Sequence, residues 1–338
     1  MTFVPADDYQ HEAGSHPRWQ ETYWLGAWDG QNRGGVSIHL ARQPHEGHVA
    51  TQVTVVTPEG TVSLGGRHPG DDALAIPGLD VDIHAPFEHW TMRYAGAGVR
   101  GPNEHGLYAQ TPGEVPFGFT LDFHHPLPPH DVGSVYLDRV AKGVTNNQYV
   151  AGAVFTGEVW CADHHTPVSG LLTRDHSWGV RNWDFDLGIA AFIALDDAQT
   201  FLTPGSFLAG DRWKSFCAIH DKDGLRDLGE TWARVDGLPV VGGYRNAAFG
   251  IPEVPAGQQI VEITGHAQRP HWSPSVTSGT NMLWLISLST VRWGDKTGQG
   301  THWTVFPATS PLAANLAPDR GQSEHLPIIG PDRSVPAP

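Results

Sequence analysis

Apolar and polar residues alternate with a period of two along much of the chain, and no long segment places apolar residues at i, i+3, i+4 and i+7. A strand turns successive side chains to opposite faces, so this pattern predicts sheet and leaves little room for helix. Phe117, Phe119, Leu121 and Phe123 fall on one face of such a run, with Gly118, Thr120, Asp122 and His124 on the other. Gln52–Thr57, a Pro-Glu-Gly turn and Thr61–Leu64 read as a hairpin. Gln259–Thr264 and Asn281–Trp293 are strand-like, the latter with Leu283, Leu285, Ser287 and Ser289 on one face. Glycine at 40 positions and proline at 27 punctuate the runs, the layout of a barrel or sandwich. The expected fold is all-β: two antiparallel barrels or sandwiches packed side by side, meeting near Asp163–Gly170.

The expected organisation is an N-terminal β domain over 1–165, a C-terminal β domain over 166–322 and a Pro-rich tail over 323–338. The His124-His-Pro-Leu-Pro-Pro-His130 stretch cannot be a central strand, because proline has no N–H to give a ladder. The longest apolar runs, Leu187–Leu195 and Met282–Leu288, are strand-sized and well short of the ~18–20 residues of a membrane helix. Met1–Asp8 has neither the basic start nor the apolar stretch of an export signal. A cytoplasmic protein without an integral membrane segment is expected, with Cys161 and Cys217 as reduced thiols.

Charge narrows the partners. With 36 acidic and 21 basic residues the formal charge is −15, which argues against nucleic acid, bound through positive fields. The 20 histidines would erase most of that charge on protonation, so solubility should fall in mild acid.

The densest chemistry is Arg174-Asp-His-Ser-Trp-Gly-Val-Arg181, followed by Trp183, Asp184 and Asp186. So many polar groups beside bulky aromatics are costly to bury unless paired. One reading is a structural ion-pair cluster in which Arg174 or Arg181 clamps Asp175 or Asp184; the other is a functional site at a strand end facing a cavity. If 174–178 is extended, Arg174, His176 and Trp178 point one way and Asp175 and Ser177 the other, so Asp175 and His176 cannot both face one cavity. Glu21 sits among Trp19, Tyr23 and Trp24, where burial could raise its pKa. The His124, His125, His130 and Asp163, His164, His165 groups lack chelating spacing, and no metal is expected. No nucleotide, phosphate-loop or serine-elbow motif is present, so no cofactor is expected.

The 174–181 run resembles the Asp-His-x-Trp signature of the carotenoid 1,2-hydratase (hydroxyneurosporene synthase) and AttH-like superfamily. The nearer match is a bacterial branch carrying Arg-Asp-His-Ser-Trp-Gly-x-Arg. Trp19–Trp24 is similar to that superfamily's Glu-Trp-Trp-Tyr region. Gln148–Gly152 with Thr156–Glu158 is similar to its Glu-Gln-x-x-x-x-Gly strand pair, with Asn147 in place of the first Glu. The resemblance spans about residues 15–310. It implies two lipocalin-like barrels with the ligand between or inside them, and redox-neutral activities: water addition to isoprenoid double bonds, or cyclisation.

Adding water to a trisubstituted alkene takes a buried neutral acid, a dry pocket and aromatic faces for a tertiary cation. With the resemblance, this suggests Asp175 as acid, His176 as acid/base partner and Glu21 as a further catalytic candidate. Trp178, Trp183, Trp24, Tyr23 and Gln148 would line the substrate site and Arg181 would orient a carboxylate. The leading expectation is a cofactor-independent hydro-lyase or isomerase acting on a hydrophobic, isoprenoid-like small molecule. A non-catalytic carrier of a hydrophobic small molecule is the alternative, a metal-dependent hydrolase the third, and a homodimer is left open.

Overall fold

The computed structural model describes residues 3–101, 114–133, 147–180, 186–236, 246–251, 254–274, 281–307 and 309–310. It is 71% strand and 3% helix, in two large antiparallel sheets, one ring-like and one a half-barrel. The ring contains β1 (Trp19–Asp29), β2 (Gly34–Gln43), β3 (His48–Thr57), β4 (Gly60–Pro69), β5 (Leu79–Ala85), β6 (His89–Gly101), β7 (Glu114–His124), β8 (His130–Asp131), β9 (Asn147–Cys161) and β10 (His164–Val180). Its order is β10-β1-β2-β3-β4-β6-β7-β9, and β9 pairs again with β10, which closes the circuit; β5 attaches to β6 and β8 to β9. Closure leaves the main strands without open edges.

The second sheet contains β11 (Leu187–Leu195), β12 (Thr200–Ala209), β13 (Arg212–Asp221), β14 (Gly224–Asp227), β15 (Trp232–Asp236), β16 (Asn246–Gly250), β17 (Ile260–Pro274), β18 (Asn281–Trp293) and β19 (Lys296–Pro307). Its order is β14-β13-β12-β11-β19-β18-β17-β16-β15.

The alternating runs occupy the expected places. Phe117, Phe119, Leu121 and Phe123 are buried inside the ring, and β3 and β4 form the predicted hairpin. Residues 125–129 lie outside any strand, as their prolines require. The expected meeting of halves near Asp163–Gly170 is corrected. β10 pairs with β9 from His164↔Cys161 and with β1 up to Trp19↔Val180, so residues 166–180 close the first ring and the sheets change between Val180 and Leu187. The Asp-His-Ser-Trp run thus belongs to the first sheet, not the second. Both cysteines are free and buried. Among the described residues no helix is long and apolar enough to cross a membrane. The 323–338 tail lies outside the described residues.

The three largest apolar clusters among the described residues follow from this layout. One fills the ring, one lies against the second sheet, and one joins Trp24 and Val150 of the first sheet, with Val132 just after β8, to Phe192, Phe201, Ile286 and Trp303 of the second. Among the described residues no strand ladder crosses between the sheets. Side-chain contacts therefore hold them together: burial, at ~1.5–3 kcal/mol for each large apolar group taken out of water, and bonds such as those from the Leu171 N–H to Gln299 and between Thr301 and Thr173. Glycine permits the closest approaches. A Cβ on Gly26 would lie 1.9 Å from Thr301 Oγ1, and one on Gly152 2.9 Å from the Phe201 ring.

Candidate functional site

The register of β10 sorts the signature between two environments. His176 is opposite Tyr23 of β1 and Tyr149 of β9, while Asp175 is opposite Trp24 and Val150. Arg174 and His176 face the ring interior, and Asp175 faces the second sheet with Trp24 and Val150. The alternation expected from sequence therefore holds, and Asp175 does not share a face with His176 or Glu21.

On the ring side the N-terminal segment supplies buried partners. Asp8, in a short 3-10 turn (Pro5–Asp8), is completely buried. Arg174 Nη2 donates to Asp8 Oδ1 at 2.6 Å, and Tyr149 Oη donates to the same oxygen. Trp90 Nε1 and the Phe87 N–H donate to Asp8 Oδ2 at 2.9 and 2.6 Å. The Arg174 guanidinium also lies 4.1 Å over the Trp90 ring. Burial pushes the Asp8 carboxyl up, but the charge of Arg174 and the bonds from Tyr149 and Phe87 outweigh it and hold the carboxyl below its ordinary value. The partner of Arg174 is thus Asp8, 166 residues away, and not the adjacent Asp175.

Glu21 is tied as fully. His11 Nδ1 lies 2.8 Å and His176 Nε2 3.0 Å from Glu21 Oε1, and Arg42 Nη1 donates to Oε2 at 3.0 Å. Burial again works to raise the carboxyl, yet the bonds from His11 and His176 bring its pKa down to about 2. A pKa raised by its aromatic neighbours, the expectation from sequence, is thus reversed by basic partners. Burial lowers the pKa of His176 despite Glu21. Tyr23 stacks on His176 with ring centroids 4.0 Å apart, and Trp178 on His11 at 3.8 Å. Glu21, Tyr23, His176 and Trp178 are brought together here, in a network that stops one end of the ring.

Trp24, Gln148 and Asp175 gather on the other face. Asp175 is buried between Trp24 and Val150 on the neighbouring strands, and the Gln148 amide donates to Asp175 Oδ2. The Trp24 indole lies 5.0 Å from Trp303, 6.0 Å from Trp284 and 6.2 Å from Phe192. Its Nε1–H has no partner among the described residues. His130 of β8 is opposite Val150, as Asp175 is from the other side, so both flank one residue on one face. Two strand spacings put their backbones ~10 Å apart. His130 is buried against Phe201 and His220, and neither ring nitrogen has a partner among the described residues. Burial, and then His220, drives its pKa well below the ordinary value, so the ring is neutral.

Arg181 and Trp183 lie outside the described residues. Sequence reasoning missed Asp8, His11, Arg42 and Tyr149, which carry no local signal. It weighed His130 only as a metal ligand.

A family model described as a domain of unknown function, DUF7064, matches residues 4–302. The chain belongs to that family. No curated protein matches the sequence. Among solved structures, an AttH candidate from Nitrosomonas europaea superposes with a TM-score of 0.61 at 13% identity, covering 87% of this chain and 97% of that one. Kievitone hydratase from Nectria haematococca superposes with a TM-score of 0.51 at 7% identity, covering 86% and 89%. At such identities the likeness shows the fold: this family member has the lipocalin-like, AttH-type architecture that its signature implied.

Proposed function

We propose that the chain is a cofactor-independent acid/base lyase or isomerase, of the hydratase/dehydratase or cyclase type, acting on an apolar, isoprenoid-like substrate held between the two sheets. One observation carries the reading: Asp175 is buried on the inter-sheet face beside Trp24, and the neutral His130, whose ring nitrogens have no partner among the described residues, lies ~10 Å away on that face. The likeness to a hydratase supports it.

Asp175 is the acid and Gln148 orients its carboxyl. Proton transfer from Asp175 to an alkene carbon leaves a tertiary cation. Trp24 and Trp303 stabilise it at ~0.5–2 kcal/mol per desolvated ring. His130 takes the proton from attacking water, or from the carbon next to the cation if a ring or a double bond forms. Return of that proton to Asp175 completes the cycle. Trp183 and Arg181 would complete the lining. In this reading Glu21 and His176 act in the fold and not in the reaction.

The test has two steps. Native mass spectrometry of protein purified from its own host identifies a tightly held apolar ligand. Incubation with that ligand in deuterium oxide should then place solvent deuterium on carbon. A ligand recovered unchanged, with no deuterium on carbon, would make the protein a carrier.

A further inference from the structure

The ring-side network holds a constellation that the reaction does not use. His11 Nδ1, Glu21 Oε1 and His176 Nε2 all lie within 4.8 Å of one another. The far nitrogens of both rings also face acceptors: His176 Nδ1 is 3.0 Å from the carbonyl oxygen of Asp7, and His11 Nε2 is 3.4 Å from Asp7 Oδ1. A carbonyl oxygen can only accept, so His176 Nδ1 carries a hydrogen; Nε2 then donates to Glu21 only with a second proton on the ring, and without it turns a lone pair on the carboxylate. If His11 donates to Asp7, its Nδ1 lone pair does the same. Two lone pairs and a carboxylate oxygen converging on one buried point repel one another unless something positive lies among them.

The surroundings fit a cation. The Arg42 guanidinium bonds the carboxylates of Glu21 and Asp71, and the Asp7 carboxylate lies beside His11. That leaves two negative charges when both histidines are neutral. His176 is completely enclosed. Two imidazoles and a carboxylate form a zinc donor set, and a far nitrogen bonded to a carbonyl or carboxylate is the arrangement that fixes a metal-bound histidine. With bonds of ~2.0–2.1 Å, metal ligands stand ~3.0–3.4 Å apart, and Glu21 Oε1 already lies 2.8 Å from His11 Nδ1 and 3.0 Å from His176 Nε2.

We propose that His11 Nδ1, Glu21 Oε1 and His176 Nε2 bind one divalent transition-metal ion of the zinc class, which pins the N-terminal segment across the end of the ring. The ion has a structural role. It bridges β1, β10 and the segment carrying Asp8, which reaches the ring interior three residues before His11.

The test loads the full-length protein with zinc, removes loose metal on a desalting column and measures bound metal by mass spectrometry. His11→Ala is the decisive variant, because His11 is part-exposed on a terminal segment and its loss should leave the sheets folded. His124→Ala is the control, since His89, Asp122 and His124 form a second, more exposed group of donor atoms. One zinc per chain is expected in the wild type and in His124→Ala, and none in His11→Ala. A chelator should lower the melting temperature of the wild type by several degrees and leave His11→Ala unchanged. Equal zinc in wild type and His11→Ala, or no retained zinc with melting indifferent to chelator, would overturn the proposal and leave protonated histidines as the positive charge.

Discussion

Asp175 and His176 are consecutive in the chain and face opposite sides of one strand: Asp175 lies opposite Trp24 between the sheets, and His176 opposite Tyr23 inside the ring. One signature thereby serves two tasks. Arg174 and His176 anchor the N-terminal segment through Asp8, Asp7 and Glu21. Asp175 is left for the inter-sheet face.

Asp8→Asn should destabilise the protein severely while its inter-sheet face is untouched. The change leaves a fully buried guanidinium, Arg174, with its carboxylate partner gone. Breaking one half of a buried pair costs ~3–5 kcal/mol. Urea unfolding should show a loss of that size; a loss below ~1 kcal/mol would mean that the pair contributes little.

Acid should unfold the protein before its carboxylates titrate. Burial, aided in His125 by the charge of Arg174, holds the pKa of His125 and of His302 at about 3 in the folded chain. Unfolded histidine titrates near ~6.5. Below that value the unfolded chain binds protons that the fold refuses, so the stability present above ~6.5 is lost as pH falls towards about 3. Each histidine contributes ~1.4 kcal/mol per pH unit within that window. Glu21 acts in the same direction, but only between its ordinary value and about 2. Melting temperature should therefore fall steadily from pH ~6.5 to ~5, and His302→Asn should reduce the slope. A flat profile over that range would contradict the burial of these rings.

The strand pattern was legible because period-two alternation is local: Phe117 to Phe123 and the hairpin at Pro58–Glu59 needed only their neighbours. The split of the signature into two faces followed from the same geometry. The Arg174–Asp8 pair was not legible, since nothing in residues 3–11 marks carboxylates bound for the interior of a ring 166 residues away. The sheet boundary was missed because a closing strand looks like any other strand until its second partner is known; β10 has both β1 and β9. His130 was hidden by its prolines: the His124–His130 stretch read as a loop, which holds for 125–129, but His124 ends β7 and His130 starts β8 and pairs with Val150.

The packing of the sheets can be probed at Gly26. A Cβ there would lie 1.9 Å from Thr301 Oγ1 and 3.2 Å from Thr301 Cβ, where Thr301 also meets Thr173 Oγ1 at 3.1 Å. Gly26→Ala should cost ~1–3 kcal/mol by overpacking, and pairing it with Thr301→Ser or Thr301→Ala should recover part of the loss. Additive effects in the double variant would mean that the sheets do not touch at this point.

Asp175→Asn separates a reacting carboxyl from a scaffold one. The amide keeps the shape and still accepts a bond from Gln148, but it has no acidic proton to give an alkene. With the ligand found by native mass spectrometry as substrate, turnover should fall ~10²–10⁴-fold. Melting temperature and ligand affinity should stay close to the wild-type values. A large drop in melting temperature, with ligand binding lost in parallel, would instead make Asp175 part of the scaffold and remove the acid from the inter-sheet site.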